Sequence, residues 1–362
     1  MKILVAMSGG VDSSVAAGLL KEAGNECIGC TMKLYDNADA GISRSRTCCS
    51  LDDVEDARSV AYRLGMPYYV FNFSDDFRKN VINRFVDSYL CGMTPNPCID
   101  CNRYMKFGKL YERAKILGCD HIATGHYARI EHRDGRYILK KAVDPAKDQS
   151  YVLYSMTQDE LARTLFPLGG MTKTDARRFA VAHGFFNADK PDSQDICFVP
   201  DGDYARVIEL HTGRPTPPGN FVDRNGNILG RHRGIIRYTV GQHKGLGIPL
   251  PGKRYVISVR SADNTVLLGE EAELYGAEAT VGDVNWISGE APSRTVRCNV
   301  KIRYRQPEQP ATVTPEPGGT ASVKFDLPQR AVTPGQAAVF YDGDTVLGGG
   351  VIMYSKKAGE QP

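Results

Sequence analysis

Two hydrophobic periods alternate along the first part of the chain. Residues 2–7 (KILVAM) are a nearly unbroken apolar run, the mark of a strand covered on both faces. Residues 11–23 carry apolar positions at helical spacing, and 27–34 again read as strand. A helix is predicted at 51–64, acid-rich in its first turn, where the helix dipole favours acids. An aromatic strand follows at 68–73, then helices at 75–90 and about 103–117, and a short strand at 121–124. Such alternation implies an α/β architecture, a parallel sheet with helices on both faces and ligands at the carboxyl ends of its strands. Residues 128–130 and 137–141 flank Asp134-Gly135 as a hairpin, and helix signals recur near 157–163 and 172–183. After about residue 200 helical spacing fades while proline, glycine and arginine rise. From about 273 the pattern is short strands split by turns, a small β-barrel or sandwich.

The first strand runs into Ser8-Gly9-Gly10-Val11-Asp12-Ser13-Ser14, directly before a helix. Glycines let the backbone approach an oxyanion closely, and the N–H groups and positive end of the helix then face it. Ser13 and Ser14 add hydroxyl donors, and Asp12 can cap the first turn, worth about 1 kcal/mol. The lysine of a Walker A loop is missing. SGGxDS instead resembles the pyrophosphate-binding loop of N-type ATP pyrophosphatases, which split ATP between its α- and β-phosphates to adenylate an oxygen. A Walker-like stretch, GIPLPGK at 247–253, is rejected: Arg254 stands where Ser or Thr is required, and two prolines remove N–H donors.

The chain has 362 residues, 42% hydrophobic and 24% charged, as expected of two or three soluble globular domains. No apolar run approaches membrane-spanning length and no secretory layout opens the chain, so the expectation is cytoplasmic. In a reducing compartment, clustered cysteines read as catalytic or metal-binding. Three pairs stand out: Cys27 with Cys30, Cys48 with Cys49, and Cys98 with Cys101. The last is a CxxC read as lying in a proline-constrained loop (PNPCIDCN, 95–102) just before a helix, where thiol pKa values fall. A thioredoxin-type motif is the alternative, although this CxxC does not follow a first strand. Cys197 sits in the polar stretch PDSQDICF, 191–198.

Net charge is only +3, but residues 224–260 hold eight Lys/Arg and no Asp or Glu, interleaved with His232, Tyr238, His243 and Tyr255. That stripe suits an RNA backbone with rings to stack on bases, against the alternative of a surface paired with acids from elsewhere. A second acid-free run at 294–305 carries Arg294, Arg297, Lys301, Arg303 and Arg305.

Taken in order, SGGVDSS, TPNPCIDCN followed by KF, ATGHYAR, KDQSYVL, PDSQDICF, YTVGQHKGLG and KIRYRQ closely resemble the bacterial tRNA-specific 2-thiouridylase family over nearly the whole chain. The resemblance implies an ATP pyrophosphatase domain at 1–200, a small central tRNA-binding domain at 201–272 and a C-terminal β-barrel at 273–362. It implies ATP with Mg²⁺, tRNA for Lys, Glu and Gln, and a sulfur donor, either a cysteine desulfurase or a relay protein. ATP would contact Ala6, Met7, Ser8, Gly9, Gly10, Val11, Asp12, Ser13, Met32 and Gly125. Cys197 would carry a persulfide, and Cys101 would be the second thiol, releasing sulfur by forming a disulfide with Cys197. Asn96, Pro97 and Cys98 would border the target base, with His126, Lys147, Asp148, Gln149, Arg303, Tyr304 and Gln336 touching tRNA. One departure matters: many members have Asp three residues before the catalytic cysteine, where this chain has Cys98, so that Asp100 or water takes over as the base or the proton transfer is not needed. The alternative is a [4Fe–4S] cluster held by Cys98, Cys101 and Cys197, with one open iron. A small-molecule ATP pyrophosphatase would have no use for Cys101 and Cys197, and a non-catalytic tRNA-binding protein none for the SGGVDSS loop.

Overall fold

A computed structural model describes residues 1–36, 51–192, 196–199, 201–250 and 252–357. Most of the expected loop 35–50, with Cys48 and Cys49, lies outside the described residues, as do Ser193, Gln194, Asp195 and Pro251.

At the N-terminal end, five parallel strands lie in the order Tyr68–Asn72, Glu26–Lys33, Lys2–Ala6, His121–Ala123, Thr164–Leu165. In the central strand Ile3, Leu4 and Val5 have no exposed surface. Leu4 joins one apolar core and Ile3 and Val5 the other, so both faces are covered and the apolar run is unbroken. Each such side chain contributes roughly 1.5–3 kcal/mol on burial. The edge strand Thr164–Leu165 has two residues, too few to leave a periodic signal in the sequence.

The helix expected from about 103 begins at Pro97. It runs through Pro97–Asp100, a π-helical segment Cys101–Lys109, and Leu110–Ile116. Asn96 accepts the Cys98 N–H at 3.1 Å and Pro97 takes the first helical position. The prolines that read as loop are thus a helix start. Cys98 and Cys101 therefore lie in the opening turns of the helix, which corrects their placement in a preceding loop.

A second correction concerns the region after residue 200, where the helix Tyr204–Thr212 forms, capped by Asp203 and ended by left-handed Gly213 (φ 69°). It leads into a four-stranded sheet ordered Tyr255–Arg260, Thr265–Gly269, Gly219–Val222, Ile228–His232. The last region is a closed barrel rather than a sandwich. Its six strands run from Tyr275–Trp286 to Thr345–Lys357, and the first pairs with the last as well as with Thr320–Arg330. The predicted hairpin forms as Ala128–Arg133 and Arg136–Lys141, with Asp134 and Gly135 at φ 54° and 74°. It joins the barrel sheet: Lys140 pairs with Thr345, and the Lys141 N–H donates to the Asp344 carbonyl at 2.8 Å. Among the described residues no helix is long and apolar enough to cross a membrane.

Candidate active site

The Lys2–Ala6 strand opens into the glycine loop, and the helix Val11–Glu22 starts at Gly10. Gly9 takes φ +77°, and a Cβ there would stand 2.4 Å from the Asp53 carbonyl oxygen, so only glycine fits. Gly125, just beyond the His121–Ala123 strand, abuts the same turn; a Cβ on it would lie 2.8 Å from the Ser13 nitrogen. Met7 is anchored by its N–H to the Cys30 carbonyl at 2.7 Å, and its own carbonyl accepts from Thr31 at 2.5 Å. Ala6 and Met32 pack on the adjoining apolar core and Val11 is buried. The structure thus brings the predicted nucleotide residues together around one helix N-terminus.

Their side-chain chemistry differs from expectation. Gly10 is the N-cap and no side chain caps the helix. Asp12 turns away to accept from Tyr127 at 2.8 Å and from Lys173 at 2.7 and 2.8 Å. The Ser13 and Ser14 hydroxyls both donate to the Gly10 carbonyl, at 3.0 and 3.1 Å, and brace the loop from within. Asn187 donates to the Gly9 carbonyl at 3.0 Å and to Ser14 at 2.9 Å. Lys190 reaches the same carbonyl at 3.3 Å while pairing with Asp53 and Asp56. Lys173 also pairs with Asp192 at 2.7 Å, and Asp192 takes Lys147 at 2.7 Å as well. Burial works against the Asp192 charge, but the Lys147 and Lys173 ammonium groups hold its carboxyl below the usual range. Sequence reasoning assigned no role to Tyr127, Lys173, Asn187, Lys190 or Asp192. The available signal was that Tyr127 and Asp192 lie inside the ATGHYAR and PDSQDICF motifs.

The Pro97 helix turns back at Ile116 into the His121–Ala123 strand. At about 1.5 Å per residue it far outreaches that strand, so its start lies toward the carboxyl edge, the side of the glycine loop. Both other domains hold this start. Gln336 donates to the Thr94 carbonyl at 2.7 Å, the Thr94 N–H to the Pro334 carbonyl at 2.9 Å, and the Thr94 hydroxyl to Thr239 at 3.3 Å. Cys98 is exposed and Cys101 half-buried. Asp100 pairs with Arg84 at 3.3 Å; burial raises its carboxyl above the usual range, with Arg84 opposing. Tyr304 donates to the Asp148 carbonyl at 3.4 Å, and burial, with Asp148 and Cys98 nearby, pushes its phenol up. Lys301 lies over the Tyr151 and Tyr304 rings, 5.8 and 5.7 Å from their centroids.

The other expected tRNA contacts are engaged internally. Gln149 accepts from the Tyr127 N–H at 2.9 Å, and Asp148 accepts from the Ala142 N–H and the Ser150 hydroxyl. Arg303 donates to the Val240 carbonyl of the central region at 3.0 Å and, within the barrel, to the Ala331 carbonyl and Thr333 at 3.2 and 2.6 Å. His126 is buried between Thr124 (2.6 Å) and Lys106 (3.3 Å); burial first, and Lys106 second, hold its imidazole well below the usual value.

Cys197, half-buried, packs against the same apolar core as Cys101. Its turn is pinned by Tyr35, which donates to the Cys197 carbonyl at 2.5 Å, and by Phe198, edge-on to Phe77 and Phe85. Cys27, Cys30 and Cys298 are buried, and burial raises all three thiols, Cys298 to about 12. In the basic stretch Arg224, Arg237 and Arg254 find Glu273, Glu209 and Glu270 from flanking segments, so part of it is structural pairing. Among the described residues Arg231, Arg233, Lys244 and Arg260 enter no ion pair.

Residues 1–201 match a family described as the tRNA methyl transferase HUP domain, 209–270 its PRC-barrel domain, and 277–352 the aminomethyltransferase β-barrel domain. The tRNA-specific 2-thiouridylase MnmA of Acetivibrio thermocellus is 53% identical over 97% of this chain and 99% of its own. The chain belongs to the tRNA-specific 2-thiouridylase family. The 2-thiouridylases MnmA of Geotalea uraniireducens (52% identity, 98% of this chain, 95% of theirs) and Clostridioides difficile (48%, 98% and 98%) match at similar strength. The thiouridylase family is one of sulfurtransferases, and the parallel sheet, central domain and closed barrel are the architecture its resemblance implied.

Proposed function

We propose that the chain thiolates C2 of uridine 34, the wobble base, in tRNA for Lys, Glu and Gln, consuming ATP with Mg²⁺. The supporting observation is the pairing of two helix starts toward the carboxyl edge of one sheet, the first packed on one of its two cores and the second on the other. One is a glycine cradle for phosphates; the other carries Cys98 and Cys101, with Cys197 packed on the same core. A carbonyl oxygen is a poor leaving group. In this reading the C2 oxygen attacks the α-phosphorus of ATP and pyrophosphate leaves, its charge met by the loop N–H groups and helix dipole. The terminal sulfur of a Cys197 persulfide then attacks C2 and AMP departs. Cys101 attacks the Cys197 sulfur, so that C2=S is released and a Cys101–Cys197 disulfide remains for a thiol reductant to reopen. Asn96, Pro97 and Cys98 would border the base once it leaves the anticodon stack. A cysteine desulfurase or relay protein would reload Cys197.

Asp100, committed to Arg84, is a poor fit for the missing base, which leaves water in that role or a reaction that needs no such proton transfer. The iron–sulfur alternative draws on Cys98, Cys101 and Cys197, yet no group of three or more His, Cys, Asp or Glu among the described residues is placed to hold a metal ion. We therefore route no step through a cluster.

The test is mass spectrometry of tRNA nucleosides after incubation with ATP, Mg²⁺ and a sulfur source. The parent chain should form 2-thiouridine. Cys101→Ser and Cys197→Ser should each lose at least about 100-fold, while Cys98→Asp should stay active. Thiolation by Cys197→Ser at the parental rate sinks the carrier assignment. Iron and sulfide retained on anaerobic purification, together with an inactive Cys98→Asp, would favour the cluster instead.

A further inference from the structure

Cys98 is the sulfur of the Pro97 helix start to which the proposed reaction gives no bond-making step. It occupies the second helical position, and Cys101 follows three residues later. The turn between them is tightened: the Cys101 N–H reaches the Cys98 carbonyl as well as that of Pro97. Bonding between residues three apart eclipses their side chains, drawing them inside the about 5–6 Å Cβ spacing of a regular helix. A disulfide needs Cβ atoms about 3.5–4.5 Å apart, so this pair closes with little movement of the backbone. Both ends of the turn are fixed. Asn96 accepts the Cys98 N–H at 3.1 Å, and buried Asn102 donates to the Val152 carbonyl at 2.9 Å. Exposure differs among the three thiols: Cys197 and Cys101 are half-buried on one apolar core, whereas Cys98 is exposed.

We propose that Cys98 is a second resolving thiol, which takes the disulfide over from Cys197 and carries it to the protein surface. This role rests on the thiolation reading above, in which sulfur transfer leaves a Cys101–Cys197 disulfide. The Cys98 thiolate attacks the Cys101 sulfur. The Cys98–Cys101 bond forms, the Cys101–Cys197 bond breaks, and Cys197 departs as a thiolate that takes a proton from water. One disulfide replaces another, so the step consumes neither oxidant nor reductant. Cys197 then accepts new sulfur, and its conversion to a persulfide draws the exchange forward. The oxidising equivalent now sits partly on an exposed sulfur, and exchange rates depend on such access. A dithiol reductant attacks there, leaves as its own disulfide and restores both helix thiols. Reloading of the carrier is thereby separated from reduction.

The test maps disulfides in the full chain by peptide mass spectrometry after acid quench and alkylation. In one arm, chain carrying a persulfide on Cys197 is mixed with tRNA, ATP and Mg²⁺, without reductant, and sampled through a single turnover. The Cys101–Cys197 linkage should appear first and give way to Cys98–Cys101, with Cys197 regained as an alkylatable thiol in more than about half of the chains that react. In the other arm the reduced chain, without tRNA or ATP, is oxidised by equimolar diamide. The parent should form mainly Cys98–Cys101, and Cys98→Ser should form Cys101–Cys197 instead. In steady state with limiting dithiothreitol, Cys98→Ser should slow by about tenfold beyond any change in its first turnover, and excess reductant should restore most of that loss. A parent that ends its turnover with Cys101–Cys197 intact, or that forms no Cys98–Cys101 bond with diamide, overturns the proposal. Both of those readings use the parent, so neither depends on how the variant folds. Absence of 2-thiouridine in the first arm sinks the thiolation reading, whereas the diamide arm judges the Cys98–Cys101 bond by itself, so the two failures are distinct.

Discussion

At Val11 the helix start is braced from inside its own domain; at Pro97 it is braced from the other two. The first relies on Gly9, the back-bonded Ser13 and Ser14 hydroxyls, and Asn187, Lys190 and Lys173. The second is held at Thr94 by Gln336 and Pro334 of the barrel and Thr239 of the central region. In the proposed reaction this separates two requirements. Phosphate binding needs only the parallel-sheet domain, whereas presenting the thiols to a base needs the whole chain assembled.

The sharpest way to break the contrast is Gly9→Ala. With φ +77° and a backbone oxygen 2.4 Å from the new Cβ, it should cost about 2–3 kcal/mol in urea unfolding. It should also weaken ATP binding about tenfold or more; unchanged ATP affinity would falsify the self-contained brace. Next is Arg303→Ala, which removes one hydrogen bond from the barrel to the Val240 carbonyl of the central region and two within the barrel, and should cost about 2 kcal/mol. Thiolation should drop with it, while ATP titration should give a near-parental affinity. If ATP affinity collapses as well, the two sites are not separately supported.

A pH series sharpens the picture near His126. Its folded pKa is depressed, so below about pH 6.5 the unfolded chain binds a proton that the folded one refuses. Stability should therefore fall as pH drops from that value, by up to about 1.4 kcal/mol per pH unit, and His126→Gln should flatten the slope in chemical denaturation at stepped pH. The smallest effect belongs to Gln336→Ala. Losing its bond to the Thr94 carbonyl should cost about 1 kcal/mol. It should appear as a few-fold rise in KM for tRNA with ATP affinity unmoved.

What could be read from the sequence follows from how local each cause is. The strand at Lys2–Ala6 and the helix at Val11–Glu22 were legible because burial on two faces and on one stripe leaves different periods. The glycine loop was legible because positive φ and close approach leave only glycine. The start at Pro97 was misread because proline marks both loops and first helical turns, and only the Asn96 cap separates them. Asp12 was assigned a cap by its position, but Lys173, 161 residues away, claimed its carboxylate. The basic stripe was half legible: charge along the chain does not reveal that Glu209 and Glu273 fold back onto Arg237 and Arg224. Long-range electrostatic pairing leaves no periodic trace, and the Asp192 node is made of nothing else.

The hairpin Ala128–Arg133/Arg136–Lys141 carries a consequence for biogenesis. On the ribosome it emerges about 200 residues before its partner strand Thr345–Lys357, a delay of some 10–40 s at typical synthesis rates. Throughout that interval its outer edge offers unpaired N–H and C=O groups, the kind of template that recruits neighbouring chains. Lys140 and Lys141 on that strand discourage such capture by like charge, and Asp344 arrives later to pair with Lys140. Truncation before the barrel would make the delay permanent, leaving a nascent-chain hazard in place of a finished domain.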